Sequence, residues 1–195
     1  AKENGRHCFQ FYKPEMSVSA MERLDLENSL KAAFENDEFT LLYQPVIDIH
    51  KNEVVGVEAL LRWMHPEKGM IQPSDFVSVI EDSGLIIAIG EWVINTACKQ
   101  VRTWQDAGLK NQNISINLSE RQFREQNIVA LFKQAIANNE IEGSSLSVEI
   151  TELTLIDNVG EVESTLKQLR QLGVKVLLDD FGTGYASLAY LKEFP

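Results

Sequence analysis

The sequence predicts an α/β fold in which helices surround a parallel sheet, and two observations lead to this class. Segments with strand-like and helix-like periodicity alternate along most of the chain, which is typical of βα units. Acidic residues stand where short apolar, β-branched runs end, and barrel enzymes place their functional residues at such positions. We therefore expect a (β/α)₈-type barrel with a site at the carboxyl ends of its strands.

The first part of the chain is interpreted as two connecting segments. Residues 1–16 are assigned to the tail of a preceding domain, because the short aromatic strand Cys8–Tyr12 lies between an Asn4-Gly5 turn and Pro14. Residues 17–38 are predicted to form an amphipathic connector helix. Its apolar positions recur at helical spacing among charged residues: Met21, Leu24, Leu30, Ala33 and Phe34.

Five strands and four further helices are predicted in the remainder. The first two strands, Phe39–Ile49 and Glu53–Trp63, flank the turn at 50–52 and should form an antiparallel hairpin. The later strands are Ile114–Leu118, Leu146–Ile150 and Val174–Leu178, and the helices are Asp75–Asp82, Ile87–Ala107, Ile128–Asn139 and Val159–Leu172. Because a complete barrel takes about 250 residues, we expect only its first strands here, from a truncated or partly covered longer protein. A purified chain ending at Pro195 is expected to self-associate, because an open sheet edge and apolar inner side chains would face water.

Composition and charge exclude several classes of protein. A chain of 195 residues with 44% hydrophobic and 24% charged residues is typical of a packed domain. The net charge of −11 and the lack of a basic stripe argue against DNA or RNA as a partner. We expect no membrane contact, since no apolar run approaches the roughly 20 residues that span a bilayer. The isolated Cys8 and Cys98 favour a reducing, cytoplasmic location, with any membrane anchor elsewhere in the parent protein.

The acidic clusters are the strongest indication of function. Glu58, the pair Glu149 and Glu152, and the pair Asp179 and Asp180 each end an apolar run. A charge in such a run must be paired, protonated or bound to a metal, because burying it alone costs several kcal/mol. Strand alternation directs Asn117 and Glu149 toward the barrel interior and gives Glu152 the opposite parity. Converging carboxylates indicate a divalent metal, which prefers oxygen ligands.

Each residue also has a structural interpretation that the sequence leaves open. Asn117 can act as a hydrogen-bonding residue, Asp179 and Asp180 can cap the turn that follows them, and Arg62 can pair with a surface carboxylate. The tryptophans at 63, 92 and 104 are predicted to pack in the core, and the histidines at 50 and 65 to lie in turns or loops. The Gly182-Thr183-Gly184 stretch lacks the rest of a Walker motif and is interpreted as a flexible loop.

Four ordered motifs resemble those of the EAL domain family: Glu58-Ala59-Leu60-Leu61-Arg62-Trp63, Asn117-Leu118-Ser119, Glu149-Ile150-Thr151-Glu152 and Asp179-Asp180-Phe181-Gly182-Thr183-Gly184-Tyr185. The resemblance runs from about Leu26 to Pro195, and residues 39–195 are assigned to the N-terminal part of an EAL domain. It implies a modified TIM barrel with one antiparallel strand, a homodimer, and a phosphodiesterase that opens cyclic-di-GMP to linear pGpG in bacterial signalling. Residues 1–12 resemble the end of a GGDEF (diguanylate cyclase) domain, with His7 in place of the usual Asn.

The resemblance also implies roles for individual residues. Two Mg²⁺ or Mn²⁺ ions would be held by five side chains, with Asp179 bridging the ions: Glu58, Asn117, Glu149, Asp179 and Asp180. Catalysis by Glu58, Asp179 and Asp180 would act through these ions, which activate water and stabilise phosphoryl charge. Gln44 and Arg62 would bind the substrate, and Glu152 would anchor the loop from Asp180 to Ser187. The lysine, further glutamate and glutamine of the family have no counterpart before Pro195, and Ala186 replaces a common serine.

Two other functions remain open at this point. A receptor of the same family would bind cyclic-di-GMP without cleaving it and transmit occupancy through the connector helix. A glycosidase would use Glu58 and Glu149 as an acid and nucleophile pair. The glycosidase interpretation leaves Asn117 and the aspartate pair unexplained.

Overall fold

The computed structural model describes residues 14–109, 112–152, 154, 159–180 and 182. Six helices and six strands make up these regions, together with the 3₁₀ turns Pro73–Asp75 and Gly143–Ser145. The elements in chain order are α1 (Pro14–Glu35), β1 (Phe39–Asp48), β2 (Glu53–His65), β3 (Gly69–Ile71), α2 (Val77–Ser83), α3 (Leu85–Asp106), β4 (Ile114–Asn117), α4 (Glu120–Glu125), α5 (Ile128–Asn138), β5 (Leu146–Thr151), α6 (Val159–Gln171) and β6 (Lys175–Asp179).

The strands form one mixed sheet in the order β1-β2-β4-β5-β6. The pair β1 and β2 is antiparallel, as predicted, and β2, β4, β5 and β6 run parallel to one another. This arrangement confirms an α/β fold with a parallel sheet and an antiparallel opening strand. All five predicted strands form along this path, and an additional short strand that was not predicted, β3, pairs antiparallel with the end of β2. A strand of three residues is too short to produce a detectable period of two.

One face of the sheet packs against the helices and forms the main core. Alternate residues of the central parallel strands are fully buried there, including Ile114 and Ile116 of β4 and Val148 and Ile150 of β5. Helices α3, α5 and α6 supply the facing side chains, among them Phe132 and Leu166. The alternation leaves the polar residues of the same strands on the opposite face. Packing on one face therefore determines which side chains form the site on the other.

A second core cluster joins α1 and α2 to the end of β2. Trp63 packs against Phe76 at an edge-to-face angle of 84°, and its indole donates a hydrogen bond to Glu38 Oε2 over 2.9 Å. Leu30 of α1 is fully buried in this cluster. The tryptophans therefore pack in the core as predicted, since Trp92 lies against both clusters and Trp104 contacts Tyr43. His50 lies in the β1–β2 turn as predicted, whereas His65 is the last residue of strand β2 and pairs with Gly69.

The connector helix differs from its predicted boundaries. It begins at Pro14 and ends at Glu35, because Asp37 takes a left-handed φ of 55° that ends the helix. From Met21 onward, Leu30 and Ala33 of this helix are buried, whereas Met21 is 68% exposed. The predicted strand Cys8–Tyr12 lies outside the described residues.

Two other predictions need correction. The helix expected at Asp75–Asp82 begins only at Val77, because residues Pro73–Asp75 form a 3₁₀ turn. The short helix α4 was not predicted at all. In the regions that the structure describes, no helix has the length and apolar character needed to cross a bilayer.

Candidate metal and ligand site

Strand register places the acidic residues on one face of the sheet. Glu58 of β2 lies opposite Ser115 of β4, and Asn117, two residues further along β4, lies opposite Glu149 of β5. Thr151 of β5 in turn lies opposite Asp179 of β6. Residues in register or two apart share a face. The sheet therefore presents all of these polar side chains on the face opposite the core, near the carboxyl ends of the parallel strands.

Glu58 and Asn117 are in direct contact. The Asn117 side-chain amide donates a hydrogen bond to Glu58 Oε1 over 2.8 Å. The two residues are 59 positions apart in the chain, so only the pairing of β2 with β4 brings them together. The alternative structural interpretation of Asn117 predicted a hydrogen-bonding role of this kind. It also holds the carboxylate in place on the polar face.

Glu149 lies in an environment that disfavours its charged form. Burial raises the pKa of Glu149 above its ordinary value, and the negative charges of Glu58 and Asp179 raise it further. A hydrogen bond with the Ser115 side chain acts in the opposite direction and lowers that pKa. Ser115 is itself almost completely buried. Three carboxylates thus repel one another across β2, β5 and β6 in the absence of a counter-ion.

Asp179 and Asp180 form the turn at the end of β6. The backbone N–H of Asp180 donates to Asp179 Oδ1 over 2.8 Å, and Asp180 takes a left-handed φ of 53°. Such a turn is the alternative role that the sequence left open for this pair. The contact uses one carboxylate oxygen of Asp179 and is compatible with a second role for the other.

Glu152 directly follows β5, which ends at Thr151, so strand parity does not apply to it. Its side chain is only 3% exposed, and its Oε2 accepts a hydrogen bond from the backbone N–H of Gly182 over 3.1 Å. The two residues are 30 positions apart. Glu152 therefore fixes the chain just beyond the aspartate pair. The rest of the loop to Ser187 lies outside the described residues.

The two predicted substrate-binding residues lie on β1 and β2. Gln44 faces Glu58 across the antiparallel pair, and Arg62 lies four residues beyond Glu58 on the same face of β2. One Arg62 terminal nitrogen donates to the Leu61 carbonyl over 2.8 Å. Its buried Nε has no hydrogen-bond partner among the described residues. Within that part of the chain Arg62 forms no ion pair with a carboxylate, contrary to the alternative interpretation.

A cavity of about 650 Å³ opens beside Asn117 and Glu149, and its lining includes neither Gln44 nor Arg62. Helices α2, α3 and α4 form its walls, and Asn117, Glu149 and Thr151 lie along one side. Four carboxylates and two guanidinium groups line it: Glu81, Asp82, Glu120, Glu149, Arg121 and Arg124. Its volume falls within the roughly 300–1,000 Å³ of small-molecule sites. Its lining is acidic on balance, so an anionic ligand needs a cation to enter favourably.

Sequence analysis missed the contribution of α4 to this cavity. The signal was present, because Ser119 and Gln122 have the spacing of a capping box. Both reciprocal bonds of that box form in the structure. A helix of six residues rich in charges has too little apolar periodicity to be recognised otherwise. The pairing of Ser115 with Glu149 was also unforeseen, because it depends on strand register.

The oxygen donors fit a hard divalent cation by their chemistry. The carboxylates of Glu58 on β2 and Asp179 on β6 lie near enough to Glu149 on β5 to raise its pKa, and a cation would relieve that repulsion. No three His, Cys, Asp or Glu side chains of the described residues are gathered closely enough to share one ion. The ligand set given above therefore remains a prediction. Cys98 contributes nothing to it, since it is buried in the core and its pKa is raised to about 12 by that burial.

Comparison with known proteins identifies the class. The EAL domain model matches residues 27–195, and the chain therefore belongs to the EAL domain family. The matched range agrees with the extent predicted from the four motifs.

The chain is similar to several curated proteins over its whole length. It is 42% identical to the bifunctional diguanylate cyclase/cyclic di-GMP phosphodiesterase MucR of Pseudomonas aeruginosa, of which it covers 28%. It is 44% identical to the cyclic di-GMP phosphodiesterase PdeR of Escherichia coli, of which it covers 29%. The chain thus spans less than a third of the length of these relatives.

Solved structures show the same fold. The PaMucR phosphodiesterase in its c-di-GMP complex superposes with a TM-score of 0.84 at 42% identity, covering 88% of this chain and 69% of that one. The EAL enzyme Bd1971 in its cAMP- and cyclic-di-GMP-bound form gives a TM-score of 0.85 at 36% identity, covering 91% of this chain and 49% of that one.

Proposed function

We propose that this chain is the phosphodiesterase module of a bacterial signalling protein that hydrolyses cyclic-di-GMP to linear pGpG. The observation that carries the proposal is the acidic face at the strand ends, where Asn117 contacts Glu58 and both Glu58 and Asp179 raise the pKa of Glu149. The names of the relatives MucR and PdeR support this choice of substrate and reaction.

The proposed cofactor is Mg²⁺ or Mn²⁺, with two ions in the complete domain. Glu58, Asn117, Glu149, Asp179 and Asp180 are the proposed ligands, because all carry oxygen donors and all follow from the family motifs. When bound, such ions activate water as a nucleophile and stabilise charge on phosphoryl oxygens. They would also neutralise the acidic lining of the cavity, which otherwise repels an anionic dinucleotide.

The residues of the chain itself have distinct tasks in this proposal. Arg62 would donate to a substrate phosphate with its planar guanidinium, whose buried Nε has no protein acceptor among the described residues. Gln44, opposite Glu58, would bind the ligand from the neighbouring strand. The Asn117 amide would keep Glu58 oriented. Glu152 would hold the chain at Gly182, close to the aspartate pair.

The proposal includes a larger cytoplasmic protein with a GGDEF-like domain directly upstream. The similarity to MucR covers all 195 residues of the chain, including those before the EAL match at 27–195, and MucR is named as a diguanylate cyclase as well. A homodimer belongs to the same proposal. Neither DNA, RNA nor a membrane is proposed as a partner of this segment.

The test is hydrolysis of cyclic-di-GMP by the full-length protein, followed as release of pGpG with Mg²⁺ or Mn²⁺ and with EDTA. Glu58→Gln keeps an acceptor for Asn117 but removes the charge. We expect it to lower turnover by more than about 100-fold, since changes outside a metal's ligand set already cost roughly 10- to 100-fold. Glu53→Gln, at an exposed position of the same strand, is the matched control and should stay near wild type.

The other outcomes identify the alternatives. Saturable binding of cyclic-di-GMP without turnover in any metal would make the protein a receptor. Hydrolysis that persists in EDTA, or is unaffected by Glu58→Gln, would contradict the metal-dependent reaction proposed here. Glycoside hydrolysis insensitive to EDTA would favour the glycosidase interpretation.

A further inference from the structure

Helix α4 is attached to the corner between α2 and α3 by side chains that bind main-chain atoms. One terminal nitrogen of Arg121 donates to the carbonyl of Glu81 over 2.5 Å and to the carbonyl of Asp82 over 2.9 Å. These acceptors are about 40 residues away in the chain. The contact is therefore a tertiary one between α4 and α2, and it does not stabilise the helical conformation of α4 itself.

The chemistry of this corner suits a guanidinium group. Helix α2 ends at Ser83, and Gly84 follows it in a left-handed conformation with φ 83°. The last carbonyls of a helix lack intrahelical partners and form the negative end of its dipole. Negative charge also accumulates nearby, since Asp82 and Glu120 raise the pKa of Glu81 in addition to its burial. Arg121 supplies both the donors and the opposite charge.

A second nitrogen of Arg121 is also bound within the protein. Its Nε donates to Glu125 one turn further along α4 over 3.0 Å. A Cβ at position 84 would lie 3.0 Å from its other terminal nitrogen, so Gly84 leaves room for the group. The Arg121 side chain is 29% exposed. Because Nε and one terminal nitrogen are engaged by protein atoms, those two nitrogens of Arg121 are not free to bind a ligand, although the residue lines the cavity.

Two glutamines extend the attachment. Gln122, 1% exposed, packs against α3 where Gly90 lacks a side chain, and a Cβ there would lie 2.0 Å from the Gln122 amide nitrogen. The Gln126 amide donates to the Ile87 carbonyl in the first turn of α3 over 3.1 Å. Together with Arg121, these contacts define the position of α4 relative to α2 and α3.

The position of α4 also bears on the candidate site. The helix begins directly after Asn117, Leu118 and Ser119, and Ser119 caps it. The Leu118 N–H donates to the Glu149 carbonyl over 2.9 Å. The cavity is bounded by α2 and α3 on one side and by α4 with the ends of β4 and β5 on the other. Movement of α4 away from α2 would therefore widen the cavity and displace its polar side.

We propose that Arg121 is a positioning residue for cyclic-di-GMP binding, acting through the main-chain carbonyls of Glu81 and Asp82 and not through contact with the ligand. This inference rests on the proposed function for the identity of the ligand. The proposal also states that Arg121 holds α4 and the end of β4 against α2. This part can be tested without a ligand.

The matched control is Arg102. Like Arg121, it forms an ion pair four residues along its helix and donates to a distant main-chain carbonyl, that of Glu140 over 3.4 Å. It lies at the other end of the fold, where α3 leads into β4, and it does not line the cavity. Arg121→Ala and Arg102→Ala thus remove the same kind of interaction at opposite ends of the parallel strands.

The first measurement is the affinity for a hydrolysis-resistant cyclic-di-GMP analogue by calorimetry with Mg²⁺, using the full-length protein well below the melting temperature of every variant. We expect Arg121→Ala to weaken binding about tenfold, the equivalent of one charge-assisted hydrogen bond, and Arg102→Ala to leave it within about twofold. Arg121→Lys should recover part of the loss, because an ammonium retains the charge but not the fork geometry. Equal effects of the two alanine variants would overturn the proposal.

The second measurement is amide hydrogen exchange of the ligand-free protein. Arg121→Ala should accelerate exchange from Leu118 to Glu125 with little change in β6, whereas Arg102→Ala should act around Glu140. If wild type does not bind cyclic-di-GMP, the proposed function fails while exchange still decides the positioning role. Unchanged exchange with weakened binding would mean that Arg121 contacts the ligand itself, and this result would overturn the inference.

Discussion

The side-chain amide of Asn117 donates to Glu58 Oε1 over 2.8 Å, joining the ends of two parallel strands across 59 residues of sequence. A neutral donor at this position reduces the repulsion within a group that also contains Glu149 and Asp179. The acidic face is thus stabilised in part by an amide. The predictions below separate that stabilising role from metal binding.

Asn117→Asp should make stability depend more strongly on divalent cations. The change replaces a hydrogen-bond donor with a fourth carboxylate, and we expect it to cost about 1–2 kcal/mol in EDTA. For a protein of this size each kcal/mol corresponds to about 2–4 °C in melting temperature. The increase in melting temperature with Mg²⁺ or Mn²⁺ should be larger than for wild type.

Asn113→Asp is the control for this experiment. Asn113 also bridges strands, donating to the Ser144 carbonyl over 3.0 Å and accepting from Ser147 over 2.6 Å. It lies at the amino end of β4, before the strand begins. Its replacement should destabilise the protein without any gain from divalent cations. Equal cation responses of the two variants would contradict a metal site at Asn117.

Glu149→Gln should stabilise the metal-free protein near neutral pH. The folded-state pKa of Glu149 is raised above its ordinary value by burial and by Glu58 and Asp179, so its ionised form opposes folding. That cost is present above the folded-state pKa and disappears as the pH falls toward the unfolded-state pKa. The free energy of unfolding of the variant should therefore exceed that of wild type more at pH 7 than at pH 4.

Chemical denaturation in EDTA at several pH values measures this difference. Glu53→Gln on the same sheet provides the comparison, since Glu53 is exposed. A difference between Glu149→Gln and wild type that does not change with pH would show that the ionised carboxylate carries no folding cost. In the presence of Mg²⁺ or Mn²⁺ the order should reverse, because the variant lacks a proposed ligand.

Gly90→Ala should displace α4 and weaken ligand binding. The added Cβ would lie 2.0 Å from the Gln122 amide nitrogen, and Gln122 is buried against α3. Overpacking of this kind typically costs about 1–3 kcal/mol. Thermal unfolding and calorimetric binding of cyclic-di-GMP measure the two effects.

Gly143→Ala is the corresponding change away from the cavity. A Cβ at Gly143 would lie 1.9 Å from the Leu172 carbonyl oxygen, in the 3₁₀ turn before β5. This variant should lose at least as much stability as Gly90→Ala. If it also loses ligand affinity to the same degree, the effect of Gly90→Ala reflects general destabilisation and not the position of α4.

Glu152→Ala should release the chain that follows β6. Glu152 Oε2 accepts the Gly182 N–H, and removal of the acceptor leaves that donor exposed to exchange. We expect faster amide exchange at Gly182 and a fall in turnover of about 10- to 100-fold, as for partners outside a metal's ligand set. Glu152→Gln retains an acceptor oxygen and should lose less. Identical turnover of the two variants would exclude a role for this hydrogen bond.

Much of the fold was predictable because alternation and turn signals are local. The β4 strand was expected at 114–118 and forms at Ile114–Asn117, and the strand expected at 146–150 forms at Leu146–Thr151. The connector helix was predicted less well. Its apolar spacing suggested one continuous buried face, yet Leu30 is fully buried and Leu24 is 54% exposed, because burial depends on where α2 and β2 lie.

The sequence by itself determined the α/β order, the polar ends of the strands and the membership of the EAL family, since motifs and periodicities are properties of neighbouring residues. Only the tertiary structure decided which of these residues meet. Strand register brings Asn117 to Glu58 and Ser115 to Glu149, and docking of α4 brings Arg121 to the end of α2. These contacts join residues dozens of positions apart, and the free energy of packing the whole sheet and its helices selects them.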